Sequence, residues 1–317
     1  GHTTAVGDHN ITLTASNLSG TSPGKNLILT VAPDKPIFET EAFTPTSMPT
    51  LALWLDASDS STLFANTTLS TRATSSVAGW KDKSGNNNHA VQSTSANRPS
   101  TTSSGIQFDG SNDGFSLTND ISQPNLNIFL VAQGNGYVFA NNGTDRVLFL
   151  NSNQNLYWTF NSSNTFDNVA ISAYSSSSSQ LLEFSLNSGT AKLRLNGTEV
   201  SSRASVSGNF KIDRIGLKWD ATTGQPPWTG KIKEVLAYNS NTDSHKVEGY
   251  LAHKWGLTSS LPSNHPYQTS QPTSTGVSSN DFVVQGASVS NVSGSGATYT
   301  MNLTPHSNPA LIEIKMG

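Results

Sequence analysis

Along most of the chain, apolar and polar residues alternate with a period of two, in short runs broken by Gly, Pro, Asn and Ser. "TLALWLDA", "GIQFDG", "NIFLVAQ", "LLEFSL", "AKLRLNGTEV", "FKIDRIGLK" and "GKIKEVLAYN" are the plainest of these runs. Period two sends successive side chains to opposite faces, so each run predicts a strand with a buried face. In "LRLNGTEV", Asn196 and Gly197 can both adopt positive φ, as a two-residue type I′ hairpin turn requires. One stretch breaks the pattern. In "VEGYLAHKWGL", Val247, Tyr250, Leu251 and Trp255 recur at helical spacing, with Thr242 or Asp243 placed to cap the start and Gly256 the end. Many short strands with a single helix predict an all-β fold, an antiparallel sandwich or barrel rather than βαβ units.

The same pattern divides the chain. Residues 1–33 carry two strands, "NITLTASN" and "KNLILTVA", and 34–49 is a Pro-rich stretch without period that reads as a linker. The long β-rich body runs over 50–270. A second Pro/Ser-rich linker, 271–280, leads to 281–317 with about four more strands. Neither end is large enough to bury a stable core alone. The expectation is that both ends join in one composite domain, with the body inserted between them; truncated neighbouring repeats are the alternative.

Composition narrows the setting. Of 317 residues only 12% are charged, about half the usual share, and the net charge is −3. Without a basic run there is no electrostatic footprint for nucleic acid or an anionic membrane, and no apolar run is long enough to span a bilayer. Cysteine is absent, which excludes disulfides, a thiol nucleophile and Cys-ligated zinc. A Ser/Thr/Asn-rich surface without cystines suits an extracellular or cell-surface bacterial protein. The opening "GHTTAVGDHN" reads as a cut inside a longer polypeptide, and the body as a monomeric module within it.

The order of blocks in the body carries a resemblance. "LALWLDASDSSTL", "VAGWKDKSGNNNHA", "RPS…GIQFDGSNDGFSL", "LNGTEV", "GKIKEVLAYN" and "VEGYLAHKWGLTSSLPSNHPY" follow one another over 50–268. In this order they resemble the bacterial laminin-G-like branch of the concanavalin A-like jelly-roll superfamily. The flanks, 1–33 and 276–317, resemble bacterial immunoglobulin-like repeats. The resemblance implies a jelly-roll sandwich closed by one C-terminal helix, flanked by immunoglobulin-like strands. It further implies a non-catalytic, calcium-stabilised carbohydrate-binding or adhesion module, with a structural or protein-binding spacer as the alternative and a glycoside hydrolase behind both.

The laminarinase-like Glu-x-Asp-x-Glu strand pattern is absent, and Glu183, Glu199 and Glu234 stand isolated, so no catalytic residue is assigned. "DKSGNNN" and "DGSND" are dense in oxygen donors, making Asp82 and Asp113, then Asp109 and Asp56, candidate Ca²⁺ ligands; the rim calcium of related jelly rolls points the same way. Asx-turns are the competing reading of these loops. His89, His253 and His265 read as structural, and Trp54, Trp80 and Trp255 as core. Trp219 and Trp228 bracket the polar stretch "DATTGQPP", and together with Tyr157 they are the candidate platform for stacking a sugar ring.

Overall fold

A computed structural model describes residues 42–274 apart from 141–147, 151–154, 159–166, 171–173, 218–226 and 241, and at the two ends the backbone of short strands. The chain divides into two compact units, 1–42 with 273–317, and 43–272. In the first, Gly7–Leu13 pairs with Lys25–Val31, Phe282–Gln285 with Glu313–Met316, and Ala287–Ser295 with Thr298–Pro305, all antiparallel. Among the described residues the "NLILTVA" strand bonds to its own neighbour, Gly7–Leu13, and not to a strand after 280. The second unit begins at Phe43 rather than at residue 50. Phe43 and Pro45, expected in a linker, are buried, because the aromatic ring packs edge-on against Tyr250 at 5.8 Å. Its first and last residues meet, with the Phe43 N–H donating to the Pro272 carbonyl at 3.0 Å.

The second unit is all-β with one helix, a large antiparallel sheet curled into a broad β-sandwich. Its main strands are β1 (Leu51–Asp56), β2 (Gly105–Asp109), β3 (Phe115–Gln123), β4 (Leu126–Ala140), β5 (Gln180–Asn187), β6 (Thr190–Leu195), β7 (Thr198–Arg203), β8 (Phe210–Ile215) and β9 (Thr229–Tyr238). One layer runs β7-β6-β5-β4-β9-β1, with β2 beside the first half of β9. β4 is long enough to serve both layers: 127–135 pairs with β9, while 139–140 pairs with β8, which continues to β3. Where the strand passes from one layer to the other, the backbones approach closely. Gly134 has φ 142°, and a Cβ there would lie 2.1 Å from the Thr229 carbonyl oxygen, so only glycine fits.

Strand alternation decides what each face carries. Leu126, Ile128, Leu130 and Ala132 of β4 enter the main core with Leu182, Phe184 and Leu186 of β5. Their neighbours Phe129, Val131 and Leu181 face outward, where Val247, Leu251 and Ala252 of the helix α1 (Ser244–Trp255) cover them. Asp243 caps α1, its carboxylate accepting from the Lys246 N–H, and Gly256 closes it at φ 70°. The asparagine–glycine hairpin forms as expected, with φ 48° at Asn196 and 79° at Gly197. A bulge in β9 shifts the register between the pairs Val131↔Glu234 and Ala132↔Ile232. Ile232 points into the main core; without the extra residue Glu234 would follow it there. The bulge instead turns Glu234 to the outer face.

Candidate functional site

On the outer face of the first layer, α1 and the segment from Phe43 cover an apolar patch. Two buried polar groups flank the helix, and they differ in how completely the protein itself satisfies them.

At the C-terminal end of α1, Glu234 is fully buried. Its Oε1 accepts from the Trp54 indole N–H at 2.8 Å and the Tyr250 hydroxyl at 3.1 Å; its Oε2 accepts from the Trp255 indole N–H at 2.6 Å and Lys254 at 2.8 Å. Lys254 and Lys83 also reach Asp56 Oδ2, at 2.8 and 3.1 Å, and Ser58 donates twice to Asp56 Oδ1. Burial pushes the Asp56 carboxyl up, but hydrogen bonds from Lys254 and Ser58 and the two lysine charges outweigh it and hold the group below the ordinary range. Burial raises Glu234 despite Lys254. Every carboxylate oxygen here has a donor, so this network locks the helix to the sheet. Trp255 is therefore half-buried, with its ring on the second core and its N–H on Glu234, rather than a fully buried core residue.

At the N-terminal end of α1 the sheet surface turns polar and opens into a cavity of about 430 Å³. Asn127 of β4, Glu183, Ser185 and Asn187 of β5, Lys192 and Arg194 of β6, Glu199 of β7 and the helix start at Thr242–His245 line it. Alternation brings them together: residues 183, 185 and 187 share the outer face of β5, and Glu183 lies opposite Arg194 in the pairing. Asn187 donates to Asn127 at 2.6 Å, Asn127 donates to Glu183 Oε1 at 3.3 Å, and Ser244 Oγ donates to the same oxygen at 2.7 Å. Glu183 is 2% exposed, and its Oε2 receives no hydrogen bond from the protein; the Oδ1 of Asn187 is likewise without a donor. Burial, reinforced by the nearby Glu248 charge, pushes the Glu183 carboxyl up to about 8, against the pull of Ser244 and Arg194. A carboxyl that keeps its proton at neutral pH presents an O–H donor as well as an acceptor. The other carboxylates in the wall are engaged: Glu199 pairs with Lys192 at 2.9 Å and Asp243 caps the helix.

Beneath this floor Arg194 holds Glu248 through two hydrogen bonds, at 2.8 and 3.0 Å, and His265 Nε2 meets Glu248 Oε2 at 3.2 Å. Burial raises the Glu248 carboxyl, but the bonds from His265 and Arg194 outweigh it and bring it below its usual value. His245, Glu248 and His265 place ligand atoms within 4.8 Å of one another, spacing a metal could use. Their chemistry opposes it. Arg194 already occupies both Glu248 oxygens, and His265 Nδ1 accepts the Tyr267 N–H at 3.2 Å.

The candidate calcium ligands divide. Asp109 and Asp113 meet: Asp113 Oδ2 accepts the Asp109 N–H at 2.9 Å, and Asp109 Oδ1 accepts N–H groups of Ser111 and Asn112. Asp82 Oδ1 accepts from the Trp54 and Ser84 N–H groups, and its Oδ2 from Ser84 Oγ and the Asn88 N–H, at 2.7–3.0 Å. That is the Asx-turn arrangement, pinning the loop to β1. Asp56, with two ammonium groups on one oxygen, belongs to the helix lock. Among the sugar-platform candidates, Trp228 requires correction: it is 0% exposed within the main core, because it immediately precedes β9 and packs inward. Tyr157 lies on the strand Asn155–Trp158, of which the backbone alone is described, and Trp219 lies outside the described residues. Among the described residues, none of the candidate ligands or sugar-platform residues lines the cavity, whereas Glu183 and Glu199, isolated in the sequence, do.

No family model and no curated protein matches the sequence. Similar solved structures include a Trypanosoma rangeli sialidase in complex with sialic acid, 13% identical, with a TM-score of 0.44 over 63% of this chain and 32% of that one. Domain 4 of AbnA, a GH43 extracellular arabinanase from Geobacillus stearothermophilus, in complex with arabinotriose, is 18% identical, with a TM-score of 0.36 over 60% of this chain and 92% of that one. A heptameric SAP-like pentraxin from Limulus polyphemus is 15% identical, with a TM-score of 0.35 over 45% and 79%. This chain spans about a third of the sialidases' length. At such scores the likenesses assign neither a family nor an activity. The expectation of a non-catalytic adhesion or spacer module is nevertheless corrected. The glutamate read as isolated is a buried carboxyl beside an open polar cavity. Among the described residues no helix is long and apolar enough to cross a membrane.

Proposed function

We propose that this chain is a saccharide-directed β-sandwich of the laminin-G-like type, acting outside the cell, and that its sugar site is the cavity between the β5–β6 hairpin and the start of α1. One observation carries the reading: two buried polar atoms at the cavity floor, Glu183 Oε2 and Asn187 Oδ1, make no hydrogen bond within the protein, the Arg194 Nε–H that lies 3.3 Å from Glu183 Oε2 being directed to Glu248. Buried polar atoms left unmatched cost about 1–3 kcal/mol each, and a sugar hydroxyl, which both donates and accepts, suits an amide oxygen and a protonated carboxyl alike. The cavity volume falls within the range of small-ligand sites. Its walls offer amide, hydroxyl and paired charged groups of the kind that read sugar hydroxyls. By contrast, the Glu234 network has every oxygen matched and offers a ligand nothing. A glycan array probed with wild type and with Asn187→Ala tests this. Binding to defined saccharides that Asn187→Ala abolishes supports it; binding that survives unchanged places the sugar elsewhere.

A further inference from the structure

We propose that Lys254 and Asp56 are joined in the folded protein by an amide bond, with Glu234 carrying the protons of the reaction. The bond ties β1 to α1 and is independent of the saccharide reading.

The fold assembles the reactants. Glu234 and Asp56 are partners in the β9–β1 pairing, and the bulge in β9 brings the Glu234 side chain to the face on which α1 lies. Lys254, in the last turn of α1, reaches in between them. Its Nζ lies 2.8 Å from Asp56 Oδ2 and 2.8 Å from Glu234 Oε2, with the Tyr250 hydroxyl at 3.2 Å, so each ammonium hydrogen has a partner. The side chains of Asp56 and Glu234 are 4% and 0% exposed, and the rings of Tyr250 and Trp255 flank the ammonium. Nucleophile, electrophile and proton carrier are thus held in contact, and ordering already supplied by folding replaces the encounter of a free amine with a free acid. An exposed ion pair has neither the burial nor the third group.

The two carboxyls have different parts. Asp56 Oδ1 accepts the Ser58 N–H at 3.0 Å and the Ser58 hydroxyl at 2.6 Å, donors placed where negative charge develops as an amine adds to Cγ. The Lys83 ammonium, 3.1 Å from Oδ2, lies on the oxygen that leaves. Asp59, at 3.0 Å, also holds Lys83 as a cation and keeps it partnered when Oδ2 departs. Water lost from Glu234 instead would strand the Trp255 indole N–H on its Oε2.

Glu234 Oε2 takes one proton from the Lys254 ammonium and passes it to Asp56 Oδ2, leaving an amine beside a carboxylic acid. Burial, which raises the Glu234 carboxyl, favours its taking the proton. The amine lone pair attacks Cγ, the C–N bond forms, and a second proton follows the same route. The Cγ–Oδ2 bond breaks, water leaves, and nitrogen keeps its third hydrogen. Glu234 ends as it began, and no co-reactant is consumed. In a chain without cysteine no disulfide can close a ring; this bond closes one from Asp56 to Lys254.

The mass of the purified, denatured protein reads the bond directly. The expected result is a wild type lighter than its sequence mass by one water, with the peptides containing Asp56 and Lys254 joined after digestion. Lys254→Arg and Glu234→Gln should each show the full mass of their own sequence. Should either variant fold poorly, the wild-type mass and the joined peptides still decide. A wild type at full sequence mass after prolonged incubation of the folded protein overturns the proposal, as does a lost water located at any other pair of residues. A folded Glu234→Gln as light as the wild type overturns the part given to Glu234.

Discussion

Glu183 and Arg194 face each other in register across the β5–β6 hairpin, yet the guanidinium directs its short hydrogen bonds elsewhere. Its Nε–H lies 2.8 Å from Glu248 Oε1 but 3.3 Å from Glu183 Oε2. Two buried carboxylates thus share one cation, and Glu248, also held by His265, has the better claim. The loser is a carboxyl with its proton and an unmatched oxygen, next to open space.

That arrangement fixes a pH dependence. The Glu183 carboxyl rises from an ordinary 4.5 to about 8 on folding, so between these values the native state holds a proton that the unfolded chain releases. Stability is therefore greatest below about 4.5 as far as this group is concerned, falls as pH rises, and levels off above about 8. The loss should be on the order of a few kcal/mol. Denaturant titrations at pH 5, 7 and 9 check it, and Glu183→Gln should flatten the profile over that window.

Arg194→Ala should be among the most damaging single changes. It leaves Glu248 buried against His265 alone and removes the positive charge nearest Glu183. Losing one partner of a buried ion pair costs about 3–5 kcal/mol. Thermal melts of this variant and of Arg194→Lys, which keeps the charge but not the two-pronged geometry, should rank wild type above Lys above Ala.

The helix lock makes a separate forecast. Trp255→Phe keeps most of the ring but removes the N–H that reaches Glu234 at 2.6 Å, and should cost about 1–3 kcal/mol. Trp255→Ala also forfeits contact with the second core and should cost more. Equal losses in chemical denaturation would mean the indole N–H contributes nothing.

Asp82 gives the sharpest test of the acidic loops. Its oxygens already accept four hydrogen bonds from Trp54, Ser84 and Asn88. Asp82→Ala should lower stability by roughly 2–4 kcal/mol through these lost bonds. Melts of the wild type in EDTA and in millimolar Ca²⁺ should superimpose. A calcium-dependent rise in Tm that Asp82→Ala removes would restore the metal reading.

What could be read from sequence follows what is local. Strand alternation, the Asn196–Gly197 turn and the caps of α1 depend on neighbouring residues, and each appears where the pattern places it. The Glu183–Arg194 facing pair was also within reach. "NSGT" forms a second two-residue turn, with φ 49° at Ser188 and 73° at Gly189, and counting back from Asn187↔Thr190 sets Glu183 opposite Arg194. A pattern read along a single strand does not show it, because the pair forms across a hairpin. Glu248 and Ser244 were out of reach, since the docking of a helix on a sheet is not encoded in its own period. Trp228 misled for a related reason: its polar neighbours suggested a surface loop, whereas the side chain belongs to the strand that follows. Oxygen-rich loops such as that of Asp82 look alike whether they hold a cation or their own backbone N–H groups.

A crystal structure of the protein with a saccharide that it binds on the glycan array tests the central claim most directly. The sugar should lie between the β5–β6 hairpin and the start of α1, with hydroxyl groups within hydrogen-bond distance of both Glu183 Oε2 and Asn187 Oδ1. Sugar density on any other face, with those two atoms still unmatched or bridged by water alone, would contradict it.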